Sequence, residues 1–239
     1  MENFLEFKNR IYSFQKNSIS DNLQEFIVNP KIEDKVDING SIKEFYGDTV
    51  VFELSKREKN LISKLQDILY ANCNEYLSER LPSETFHMTL HDLNSNSNYK
   101  FIEDILIKSE NDVKNVFDEI SNINNNEPII MKKSYIFNLV NTSIVLGLEP
   151  IDHESYSRLM CLYNKFEEVK ELTYPLTPHI TLAYFKDKNI DYIGIEILRK
   201  TIEEMNKYEV EINLKLRNLS YKYFYSMKKY KTILNINDK

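Results

Sequence analysis

Two imidazoles and two hydroxyls recur in one short frame. Thr85-Phe86-His87-Met88-Thr89-Leu90 is answered 92 positions later by Thr177-Pro178-His179-Ile180-Thr181-Leu182. Of the chain's four histidines, His87 and His179 hold the same place in the two frames. An imidazole titrates near neutrality, so one ring can take a proton while the other gives one. That pairing suits in-line displacement at phosphorus, where a nucleophile is deprotonated and a leaving oxygen protonated. The hydroxyls of Thr89 and Thr181 can donate hydrogen bonds to non-bridging phosphate oxygens as charge builds on them. This chemistry calls for no metal and no cofactor, and none is expected.

The frames must be held on strands for this to work. Each is bracketed by β-formers and preceded by proline (Pro82; Pro175 and Pro178), which reads as a strand entered from a turn. Alternate side chains of a strand share a face. His87 and Thr89 then point one way, as do His179 and Thr181, while Met88, Leu90, Ile180 and Leu182 point into apolar packing.

The rest of the chain reads as a scaffold for these strands. With 239 residues and 42% hydrophobic content, it can bury a substantial core as one large domain or two lobes. A net charge of −6 disfavours tight binding of a long nucleic acid, while a small phosphorylated ligand or an RNA end needs only local positive charge. There is no run of about 18 apolar residues, so no membrane span is expected. The first residues lack the basic and apolar regions of a signal peptide, which makes a cytoplasmic location the expectation. Cys73 and Cys161 stand alone in helical patterns and read as reduced thiols.

In chain order, residues 1–38 read as a helical appendage. Phe4, Leu5, Phe7, Ile11 and Phe14 have helical spacing, and Leu23, Phe26 and Ile27 suggest a further turn or two. Residues 39–239 then form the main body. A strand over 45–54 leads to a helix from Ser55, with Glu58 at the capping-box position. After the first His strand, 94–98 reads as a polar loop, 101–108 and 111–123 as helical, and 122–126 as loop. The second half repeats the order: strands at 129–139 and 142–148 joined at Asn141, a helix over 152–171, the second His strand at 177–185, and a helix over 191–206. Strands at 208–217, 219–226 and 230–236 close it. Strand–helix–strand around each His frame suggests two similar lobes divided near 125–130.

His87-Met88-Thr89-Leu90 and His179-Ile180-Thr181-Leu182 resemble the paired H-x-[S/T]-φ motifs of the 2H phosphoesterase superfamily, which includes 2′,3′-cyclic phosphodiesterases and 2′-5′ RNA ligase-like proteins. The flank Leu81-Pro82-Ser83-Glu84-Thr85-Phe86 and Pro178 fit it, as does Gly47-Asp48-Thr49-Val50-Val51-Phe52, where relatives often have Gly-Asn-Thr. The likeness spans residues 40–235. It implies an α+β, bilobal fold, with two similar antiparallel-sheet-plus-helix lobes around a central groove. It also implies His87 and His179 as acid and base, in an order the sequence leaves open, and Thr89 and Thr181 as phosphate-binding hydroxyls. The function so implied is phosphodiester hydrolysis of a 2′,3′-cyclic phosphate, a cyclic nucleotide or a 2′-5′-linked nucleotide or RNA end. A nucleotide- or RNA-end-binding module without turnover, and 2′-5′ RNA end ligation by the reverse reaction, stay open beside it.

Three further residues are candidates for the substrate groove. His91 shares the strand face of His87 and Thr89 by simple alternation, so it reads as a rim residue or as exposed. The spacing of His87 and His91 mimics a metal site only on a helix, because on a strand the two lie about 13 Å apart. Tyr223 belongs to an aromatic and lysine-rich run, 221–231, whose tyrosines either stack on bases or pack the core beneath an edge strand. Tyr135, on the strand from Ile129, is proposed for the same stacking role. His153 reads as surface or helix cap. The oligomeric state is not encoded legibly.

Overall fold

The computed structural model describes residues 2–16, 19, 23–121 and 127–237. Its elements in order are α1 (Phe4–Lys16), β1 (Glu25–Phe26), β2 (Tyr46–Glu53), α2 (Lys56–Cys73), β3 (His87–Asn96) and α3 (Glu103–Ser121), then β4 (Ile129–Leu139), β5 (Ser143–Pro150), α4 (His153–Glu167), β6 (His179–Tyr184), β7 (Ile190–Asp191), α5 (Tyr192–Met205), β8 (Glu211–Leu214), β9 (Leu219–Ser226) and β10 (Lys229–Asn235). The result is an α+β fold with two four-stranded antiparallel sheets, ordered β10-β9-β2-β3 and β6-β5-β4-β8. In each sheet the His-bearing strand lies at an edge, next to the strand that precedes it in sequence. A two-stranded ribbon pairs β1 with β7.

Local chemistry explains most boundaries. Ser55 accepts from the Glu58 N–H and Glu58 reaches back to the Ser55 N–H, the reciprocal cap that starts α2. Asp152 and Asp191 cap α4 and α5 in the same way, each accepting from a backbone N–H three residues on. Val140 and Asn141 both have positive φ, 45° and 60°, at the two central positions of the turn that joins β4 to β5, where the Thr142 N–H donates to the Leu139 carbonyl. No glycine or proline interrupts 101–121, and α3 is one helix where two were read.

Two other segments differ from the sequence reading. Phe26 lies in a two-residue strand rather than a helical turn, because the Ile190–Asp191 edge offers it a partner. Asn94, Ser95 and Asn96 extend β3 instead of forming a loop. Tyr46 and Gly47 pair with them, and a Cβ at Gly47 would stand 2.1 Å from the Asn94 carbonyl oxygen. The loop read at 122–126 falls outside the described residues.

One continuous hydrophobic core runs through both sheets, with Phe52, Leu69, Met88, Leu146, Phe166, Ile180, Leu182 and Tyr221 among its members. α2 and α5 pack together, with α2 against β6 and α5 against β4. α3 contacts β3 and β9, and α4 reaches β3, β4 and β5. α1 lies on β4 and β5 through a smaller cluster of Phe7, Ile11 and Tyr156. Cys73 is buried and Cys161 exposed, both as free thiols. Among the described residues, no helix is long and apolar enough to cross a membrane.

Candidate active site

β3 and β6 bring the two frames to one groove of about 1260 Å³, and His87, Thr89, His179 and Thr181 all line it. The strands match residue for residue. On β3, His87 pairs with Glu53, Met88 with Phe52 and Thr89 with Val51, and the next pairing on the ladder is His91 with Val50. On β6, His179 pairs with Gly147, Ile180 with Leu146 and Thr181 with Val145, and the next is Ala183 with Ile144. Leu90 and Leu182 are thus the extra residues of two equivalent β-bulges, each one position after its threonine.

Both rings are held alike. Nδ1 of His87 donates to the Thr85 carbonyl at 2.6 Å, and Nδ1 of His179 donates to the Thr177 carbonyl at 2.7 Å. A carbonyl only accepts, so Nδ1 carries the proton and the neutral ring keeps its lone pair at Nε2. Met88, Ile180, Leu90 and Leu182 are buried behind the strands and set this orientation.

Burial dominates the electrostatics of both rings. It pushes His87 down to about 4, against the bond to the Thr85 carbonyl; the Lys222 charge adds to the lowering and Glu53 opposes it. Lys222 is itself ion-paired with Glu53, which Lys59 approaches at 3.5 Å. Burial also lowers His179, against the bond to the Thr177 carbonyl. The Asp92 carboxylate favours its charged form and Lys35 disfavours it.

The remaining sequence candidates lie away from the groove. His91 is buried, not on the rim: the bulge at Leu90 reverses the alternation, and the ring turns toward Tyr163 and Phe166 of α4. Its Nδ1 meets the Asp92 carbonyl at 2.7 Å and its Nε2 meets Glu167 at 2.8 Å, so both nitrogens are occupied. Tyr223 faces α3, donating to Glu110 at 2.9 Å and to the Leu106 carbonyl at 3.1 Å. The opposite parity of β9 turns Phe224 to the groove instead. Tyr135 packs on Tyr12 of α1 with ring centroids 5.8 Å apart, because α1 covers that face of β4. His153 opens α4 on the surface.

Other residues take the vacated places. The bulge that buries His91 brings Asp92 to the groove, where its carboxylate accepts from Tyr174 at 3.1 Å. Simple alternation puts Asp92 on the wrong face, and a bulge leaves no plain mark in composition. Tyr230 of β10 stands edge-on to His87, centroids 4.9 Å apart. The N-terminal segment supplies Arg10, Phe14, Asn29 and Lys35 to the lining. Arg10 donates to the Leu176 carbonyl at 2.8 Å and to Thr177 Oγ1 at 3.2 Å, clamping the turn that holds His179. Asp48 is buried beside the groove, accepting from Tyr221 OH at 2.7 Å and from the Asn94 N–H at 2.7 Å. Burial raises its carboxyl above the ordinary range despite these bonds. No group of three or more His, Cys, Asp or Glu side chains is placed to hold a metal ion among the described residues.

No protein-family model matches the chain, and no curated protein matches it. Solved structures do. ATU0111, a conserved protein of unknown function from Agrobacterium tumefaciens str. C58, is 13% identical and superposes with a TM-score of 0.66 over 94% of this chain and 99% of its own. TT0787 of Thermus thermophilus is 11% identical, with a TM-score of 0.50 over 79% and 95%. E. coli LigT complexed with 3′-AMP, 9% identical over 80% and 97%, reaches 0.47, a likeness too loose to bear on function. Despite low identity, the chain shares its fold with the Agrobacterium and Thermus proteins.

Proposed function

We propose that the chain is a metal-independent phosphodiesterase of the 2H type, acting on a 2′,3′-cyclic phosphate or a 2′-5′-linked nucleotide or RNA end. The observation that carries this reading is the matched pair: two imidazoles on equivalent bulged edge strands, each with Nδ1 tied to a carbonyl, both lining one groove. The free Nε2 atoms are then the groups that exchange protons with substrate.

His87 is assigned as base, because burial keeps its ring neutral above about pH 4. Its Nε2 takes a proton from water as the water oxygen bonds to phosphorus. His179 is left as the acid: burial and Lys35 lower its hold on the proton it must give up, and the Asp92 carboxylate acts against them. As the phosphorus–ribose oxygen bond breaks, His179 passes its Nε2 proton to the departing oxygen, leaving a phosphate monoester and a free hydroxyl. Thr89 and Thr181 donate hydrogen bonds to the non-bridging oxygens.

The test is hydrolysis of adenosine 2′,3′-cyclic phosphate and of 2′-5′-linked diadenylate in EDTA. Turnover is expected in the wild type. His87→Ala and His179→Ala should each lower it at least about 10²-fold, the scale of one positioned acid or base. Unchanged rates in both variants would reject the assignment, as would an absolute need for a divalent ion. Nucleotide binding without turnover would favour a binding module.

A further inference from the structure

Lys35 follows the short 3-10 turn Pro30–Asp34 and projects its ammonium into the groove. An ammonium offers three donors, and Lys35 is half-buried, so donors that the protein does not use are left to water in the groove. Among the described residues, Nζ has no hydrogen-bond or ion-pair partner; it stands over the rings of Phe45 at 5.0 Å and Tyr184 at 5.8 Å. These ring faces attract a cation but accept no strong hydrogen bond. Burial depresses its proton affinity, and the Asp92 and Asp34 charges act against that without reaching ion-pair distance. Of the other groove cations, Arg10 is held by Glu2 and the 176–177 turn and Lys170 by the Leu93 carbonyl and Asn94, while Lys31 is exposed to solvent.

Lys35 therefore keeps donors that an anionic ligand can take in place of water. It stands over the ring of Tyr184 in β6, the strand that carries His179, which puts Lys35 on the His179 side of the reacting centre. The groove, about 1260 Å³, also exceeds the ~300–1,000 Å³ typical of small-ligand sites, which leaves room beyond one nucleoside and its phosphate.

We propose that Lys35, with the rings of Phe45 and Tyr184 as its supporting walls, forms a second anion subsite on the His179 side of the groove, and that it takes a phosphate of the ligand other than the one undergoing displacement. The proposal deepens the phosphodiesterase reading and rests on it for the site of the reacting phosphate. Within that substrate class it favours nucleotides with at least two phosphate groups, through a second linkage or a terminal monophosphate, over those with one.

Equilibrium binding tests this without turnover. Calorimetry would compare adenosine 2′-monophosphate with adenosine 2′,5′-bisphosphate, and the 2′-5′-linked diadenylate 2′-monophosphate would be titrated as the probe for a second linkage. The wild type is expected to bind at least one two-phosphate probe about 10-fold or more tightly than the monophosphate. Which probe gains identifies the source of the second phosphate. In Lys35→Met that preference should fall to within about 2-fold, with monophosphate affinity retained, and Lys35→Arg should restore part of it. Higher salt should shrink the preference in the wild type. Equal affinity for all three probes, binding of none, or an equal loss for all three in Lys35→Met would each overturn the proposal. A wild type that shows the preference but hydrolyses nothing would instead leave the subsite standing and reject the hydrolase.

Discussion

Arg10→Met separates the positioning of His179 from its chemistry. The guanidinium is held by Glu2 at 2.8 and 2.9 Å and spends its other donors on the Leu176 carbonyl and Thr177 Oγ1. The Thr177 carbonyl in turn accepts from His179 Nδ1. Methionine keeps much of the stem packing on Phe7 but removes the fork and the contact of the cation with that ring. A hydrogen bond from a charged donor contributes about 1.5–3 kcal/mol when fully enclosed. Arg10 is about one-fifth exposed, and the freed carbonyl can bond water, so the loss should lie near 1 kcal/mol. For a chain of this size that is a fall in Tm of about 2–4 °C. The kinetic effect should be larger. A displacement of about 1 Å at a catalytic group can cost ~10²-fold, so kcat should fall about 10- to 100-fold. KM should change by less than about 3-fold, because Glu2 already neutralises the charge that Arg10 presents to an anionic substrate. The assay is steady-state hydrolysis of adenosine 2′,3′-cyclic phosphate beside a thermal melt. A kcat within 2-fold of wild type would refute the clamp, and a collapse of Tm by tens of degrees would show a structural role instead.

Three further outcomes follow from the acids and rings of the groove and the core beside it. In the profile of kcat/KM against pH, the acid limb should lie near pH 4, where His87 becomes protonated and ceases to be a base, and the optimum should fall on the acid side of 6.5, because His179 is lowered as well. Asp92→Asn removes a charge that favours the His179 imidazolium, so the alkaline limb should move to lower pH while the acid limb stays; a shift of the acid limb alone would reverse the two roles. For Asp48, burial raises the folded-state value above the unfolded one, so its contribution to stability is greatest below about pH 4 and is lost as pH rises through the folded value. Asp48→Asn removes that dependence: the amide oxygen can keep both Asn94 bonds, and Tyr221 OH can accept from the amide nitrogen. Urea unfolding should show the variant gaining on wild type between pH 4 and 8, and a difference that does not vary with pH would refute the account.

Spacing alone marked the His87 and His179 frames, their strand character and the apolar backing of Met88, Leu90, Ile180 and Leu182, because alternation along a strand is a local property written in consecutive residues. The capping box at Ser55 and the turn at Asn141 were legible for the same reason. The strand partners were not. Which residue faces the groove beyond Thr89 depended on a bulge, and a bulge exists only when two strands pair out of step, so His91 went inward and Asp92 outward. Lys35 and Arg10 came to the groove from a segment whose own pattern says only that it packs against something. What it packs against is a matter of contacts between residues more than 100 positions apart, and those are decided when the whole chain closes on one core.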